Sequence, residues 1–80
     1  MKWRVWNEQG GTSDDGEDIE AKQPGDAAIR FVRDYNAYYA EYPSLRVVLV
    51  MPTDAMMGTV PEKYAVTLEA RPEYTAARVP

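Results

Sequence analysis

The sequence predicts a small α+β domain in which one helix packs across a mainly antiparallel sheet, in the order β-β-α-β-β with an optional fifth strand. Three observations carry that prediction. Residues 2–7 and 63–70 alternate polar with apolar side chains, the period of a half-buried strand. Residues 28–42 place apolar side chains three and four apart, the period of a helix. Leu45–Met51 is dominated by Val and Leu and lies between Pro43 and Pro52. A single helical stripe and several strands bury one another most economically as a helix lying on a sheet.

In the first strand, Trp3 and Val5 share one face, and Lys2, Arg4 and Trp6 share the other. Trp6 is therefore either partly covered or exposed for a reason. Gly10 and Gly11 break the strand and open a polar loop over 12–17. Ile19 and Ala21, on either side of Glu20, read as a short second strand returning beside the first. Pro24 suits the first turn of a helix, and Asp26 suits the positive end of the helix dipole. The apolar stripe is Ala28, Phe31, Val32, Tyr35, Tyr38, Tyr39 and Tyr42, with Arg30, Arg33, Asp34 and Glu41 facing water. Pro43 ends the helix, because a residue before proline avoids helical dihedrals. Leu45–Met51 reads as a central strand buried on both faces. A loop over 53–61 follows. Then comes a strand with Tyr64, Val66, Leu68 and Ala70 inward and Lys63, Thr67 and Glu69 outward. After Pro72, Glu73–Val79 either adds an edge strand or runs along the sheet.

Eighty residues make one domain, 1–80, with a thin core. Cysteine and histidine are both absent. Their absence closes the routes through disulfides, thiolate metal sites, histidine general bases and histidine-activated nucleophiles. Carboxylate acid–base chemistry would need a cleft that shifts pKa values, which so short a chain rarely builds. The expectation is therefore a non-enzyme that takes no cofactor and no metal. No apolar run approaches the roughly 20 residues of a membrane span. The first residues carry no signal-peptide core either, so the expected location is the bacterial cytoplasm.

Charge gives the first candidate site. Residues 8–26 hold seven acids and the single base Lys22, a local charge of −6 within a chain of net −4. Such a field repels nucleic acid and attracts basic grooves that hold phosphates. The candidate contact residues are Asp14, Asp15, Glu17, Asp18, Glu20 and Asp26. Their alternative role is a solvated, solubilising loop. Neutralising them should, on the sequence alone, leave the fold slightly more stable. Asp-Asp-Gly-Glu-Asp over 14–18 lacks the alternating spacing of a calcium loop. Tyr38 and Tyr42 are the stripe residues best placed to reach solvent, although a stripe at this spacing is more often core. Met56 and Met57 sit on a loop, where they serve equally as an adaptable contact or as a plug for the end of the sheet. Trp6 completes the candidates. The bases are scattered, and no basic stripe interleaved with aromatics marks a nucleic-acid-binding module, although folding could bring Arg30, Arg33 and Arg46 together.

Residues 3–11 (Trp-Arg-Val-Trp-Asn-Glu-Gln-Gly-Gly) and 15–28 (Asp-Gly-Glu-Asp-Ile-Glu-Ala-Lys-Gln-Pro-Gly-Asp-Ala-Ala) resemble the opening of small acidic proteins from phages, prophages and proteobacterial chromosomes. In size, acidity and lack of catalytic groups, the whole chain also resembles the anti-CRISPR proteins that inhibit type I systems, type I-C among them, by binding the Cascade surveillance complex. That resemblance implies a protein partner and a mechanism in which carboxylates replace phosphates on a basic Cascade surface and block target DNA. Anti-CRISPRs share no motif, so no residue role is carried over. The alternatives are a self-associating structural or accessory phage protein and a small nucleic-acid-binding module. Oligomeric state is left open between monomer and dimer.

Overall fold

The structure is a computed structural model that describes residues 1–9, 11, 12, 14, 16–39, 44–56, 58–70 and 73–80, with the side chains of 35–39, 44 and 68–70 outside that set. The elements in chain order are β1 (Lys2–Asn7), β2 (Glu17–Glu20), α1 (Pro24–Tyr39), β3 (Ser44–Pro52), β4 (Glu62–Ala70) and β5 (Glu73–Val79). The strands form one sheet in the order β2-β1-β3-β4-β5, and every neighbouring pair is antiparallel. The α+β class and element order match the prediction, and residues 73–79 form an edge strand.

β2 and β3 flank β1 and both run against it, so they are parallel to each other and α1 supplies the crossover between them. β3, β4 and β5 then follow as a meander. Register decides which side chains meet. Val5 pairs with Glu17 and Val50, Trp3 with Ile19 and Pro52, and Val48 with Tyr64. One face of the sheet thereby collects Val5, Ile19, Val48, Val50, Tyr64 and Val66, all buried. The Trp3 indole, partly buried beside them, donates from Nε1 to the Ala21 carbonyl at 3.0 Å.

The helix covers that face. Its first intrahelical bond runs from the Ala27 N–H to the Gln23 carbonyl at 3.2 Å, which leaves Pro24 in the first turn, where its missing N–H costs nothing. Ala27, Ala28, Phe31 and Val32 are buried against the sheet, and Arg30, Arg33 and Asp34 are exposed. The helix touches all five strands. At its start, the space beside Gly25 faces the Tyr64 ring and Ala76, and further along Arg30 donates from Nη1 to the Glu20 carbonyl at 2.8 Å. The stripe from Tyr35 to Tyr39 continues in the helix with side chains outside the description. Tyr42 and Glu41 lie outside the described residues.

Two glycines are required by their backbone surroundings. Gly58 has φ +93°, which an L side chain rarely adopts, in the connection between β3 and β4. A Cβ on Gly11 would stand 2.7 Å from the Asn7 carbonyl oxygen, so the turn out of β1 admits only glycine without a shift.

One prediction about the core is overturned. β3 is central in the sheet, yet it is buried on one face only. Val48 and Val50 are fully buried, Val47, Leu49 and Met51 are half-buried, and Leu45 is 68% exposed. A single helix can cover a single face, and the alternate residues of β3 point away from it.

Candidate protein-binding surface

The open face of the sheet is built by the residues that alternate with the core. From β3 come Leu45, Val47, Leu49 and Met51, from β4 Lys63, Ala65 and Thr67, and from β5 Thr75, Ala77 and Val79. From β1 come Lys2, Arg4 and Trp6, and from β2 Asp18 and Glu20. The face thus has two halves. The β3–β5 half is apolar with a few hydroxyl and amine groups, and the β1–β2 half is charged. A shallow depression of about 610 Å³ at one end of the apolar half is lined by Leu49, Val60, Lys63 and Val79, among others. Val60 at its rim is 84% exposed.

The charged half is knitted together by ion pairs. Arg4 Nη1 meets Asp18 Oδ1 at 3.0 Å, and Arg4 Nη2 donates to the Asp14 carbonyl at 3.3 Å. The N-terminal ammonium meets Glu20 Oε1 at 3.0 Å, and Lys63 Nζ of β4 links the two halves by meeting Glu8 Oε2, just past β1, at 2.6 Å. These pairs are substantially exposed, so each contributes only about 0.2–1 kcal/mol to stability. Their effect on the candidate site is larger. They engage two of the predicted contact carboxylates, Asp18 and Glu20, with cations of the chain itself. Neutralising those two would therefore remove ion pairs as well as like-charge repulsion.

The predicted site residues divide accordingly. Asp14, Asp18 and Glu20 are exposed, with Asp18 and Glu20 on the open face and Asp14 joined through its carbonyl to the open-face side chain of Arg4. Glu17 is exposed on the opposite face at the β2 edge, and Asp26 is exposed in the first turn of α1. The acidic segment thus wraps one margin of the sheet and does not form a single patch. Among the described residues, Asp14, Glu17 and Asp26 form no ion pair. Met56 is 82% exposed, in keeping with an accessible loop. Asp15, Met57 and Tyr42 lie outside the described residues, as does the side chain of Tyr38.

Trp6 needs correction as an exposed contact residue, because it is only 5% exposed. β1 is an interior strand, and Trp6 sits opposite Leu49 of β3. Of the arginines that folding could bring together, Arg33 is exposed on α1. Arg30 is held to β2, and Arg46 Nη1 reaches Asn7 Oδ1 on β1 at 3.5 Å.

The residues that sequence reasoning missed are Leu45, Val47, Leu49, Val60 and Val79. A strand dominated by Val and Leu suggested two-sided burial, although a single helical stripe in the sequence already implied that one sheet face would stay open. Elsewhere the polar chemistry is structural. Tyr64 donates its hydroxyl to Glu62 Oε2 at 3.0 Å, and burial, then that bond and the negative charge of Glu62, push the phenol above its ordinary pKa against the opposing pull of Arg78. Among the described residues no cluster of three or more acidic side chains could hold a metal ion. No helix among them is long and apolar enough to cross a membrane.

No family model matches the chain, and neither the curated proteins nor the solved structures searched gave a match.

Proposed function

We propose that this chain is a non-catalytic protein-binding domain that docks through the open face of its sheet, with the acidic β2 margin steering it toward a basic partner surface. The observation that supports this reading is the apolar row on the central strand away from the helix, with Leu45 exposed and Val47, Leu49 and Met51 half-buried, beside an acidic edge. Covering one exposed leucine removes apolar area worth about 1.5–3 kcal/mol, so a partner gains most from the apolar half. The charged margin contributes to encounter rate and orientation rather than to bulk affinity, because part of its charge is already internally paired.

The narrower form of this reading is an anti-CRISPR that binds type I Cascade and blocks target DNA. It rests on the resemblance in size, acidity and lack of catalytic groups. The test is target-DNA binding by purified type I-C Cascade with and without the protein. Inhibition that saturates at a fixed stoichiometry and weakens as salt rises is the expected result. Undiminished DNA binding at excess protein would reject the Cascade form.

A further inference from the structure

We infer that two copies of this chain associate through their β5 strands to form a continuous ten-stranded sheet. The inference rests on the sheet edges, independently of the open-face reading. The sheet has two edges, β2 and β5. β2 is four residues long and carries Glu17, Asp18 and Glu20. Its short length and its acids guard it against pairing with another copy, since antiparallel pairing centred on Ile19 would set Asp18 against Glu20 twice. β5 is seven residues long and carries one acid and one base, Glu73 and Arg78. Glu73, Thr75, Ala77 and Arg78 are exposed, and among the described residues no backbone bond reaches the outer side of this strand. A long, nearly neutral edge next to a short, acidic one leaves β5 as the edge open to pairing.

Symmetry then specifies the register. Two antiparallel β5 strands related by a two-fold axis perpendicular to the sheet keep both helices on the same side, and each residue pairs with one of the same parity. Only the register centred on Ala76 pairs all seven residues from Glu73 to Val79. In that register Thr75 faces Ala77 of the second copy, Glu73 faces Val79, and Tyr74 faces Arg78. No like charges are opposed, and each Arg78 guanidinium lies beside a Tyr74 ring, a favourable cation–aromatic pair. The Arg78 side chain is 68% exposed in the single chain, and its ion pair among the described residues is a 3.4 Å contact with Glu62, which leaves its guanidinium within reach of that neighbour.

Analytical ultracentrifugation of the full chain across a concentration series tests this, with the parent expected to reach twice its 9.1 kDa mass. The double variant Thr75→Glu/Ala77→Glu sets two like-charge pairs across the axis. It should lower the association constant by about tenfold or more while its thermal melt as a monomer is unchanged. Thr75→Lys/Ala77→Glu sets opposite charges in the same two places and should restore the dimer. In a chain without cysteine, Thr75→Cys/Ala77→Cys should give an oxidised covalent dimer, whereas Glu17→Cys on the other edge should not. A parent that stays monomeric at every concentration would overturn the proposal. So would a dimer indifferent to the glutamate pair, or a lysine–glutamate variant that fails to reassociate.

Discussion

Val48 and Val50 face the helix and are fully buried, whereas Val47 and Leu49, one step along the same strand, stand half-covered on the open face. The two sets are alike in chemistry and differ only in what lies above them. Burial here is decided by coverage and not by hydrophobicity. One helix is available, so one face becomes core and the other becomes surface with a core-like composition. On a protein so small, leaving that area uncovered forgoes stabilisation that burial would otherwise supply, which is the physical ground for assigning the open face to binding.

The sharpest way to break this comparison is to truncate each face in turn. Phe31→Ala on the covered side should destabilise the chain by about 3–5 kcal/mol, a large share of what a small domain has, measured by chemical denaturation. Trp6→Ala should cost a comparable amount although Trp6 belongs to the open face, because it alone among the large residues there is buried. A Trp6→Ala variant that unfolds at the parent's denaturant midpoint would show that the charged half of the open face is not packed as described.

Tyr64 sharpens the covered side through pH. Its phenol has a raised pKa when folded, so the native chain holds that proton more tightly than the unfolded chain does. The stability linked to it is complete below the ordinary tyrosine value of about 10 and is lost as pH rises through the raised value. Thermal melts from about pH 9 to 11 should fall with pH in the parent and fall less steeply in Tyr64→Phe. Equal slopes would mean that the buried phenol does not govern the alkaline limb.

Smaller effects belong to the charged half of the open face. Arg4→Ala or Asp18→Asn should each cost about 0.2–1 kcal/mol, and the double variant should cost less than the sum because the two residues share one ion pair. Strict additivity in a double-mutant cycle would deny the pair any energetic role.

How far the sequence revealed these features follows from the same contrast. The alternation in β1 and β4, the proline that opens the helix and the apolar face of its first half all leave local signatures, and each element formed where those signatures lay. The position of β5 was not decidable from residues 73–79, because a short stretch with alanines and one tyrosine pairs as an edge only if a neighbour stands ready. β4 supplies that neighbour. The acidic segment was evident as a run of charge, but its division between two sides of β2 and its pairing with Arg4 and the N-terminus depend on register. Alternation reports which face Trp6 points to and left open whether it is covered, and it is buried. Leu45–Met51 was misjudged because a strand dominated by Val and Leu looks the same whether its second face is covered or open.

The smallest expected stability effect and the largest expected binding effect fall on the same residues, which makes them the most direct test. Leu45→Ser/Val60→Ser changes two highly exposed side chains at opposite ends of the open face and should alter stability by no more than about 0.5 kcal/mol for each. Under the Cascade form of the proposal, the measurement is protection of target DNA from type I-C Cascade by this variant and by the parent, with a thermal melt of each beside it. An open face that binds its partner predicts a normal melt together with a loss of protection of about tenfold or more. A normal melt with full protection would contradict it and would leave the acidic margin as the contact surface.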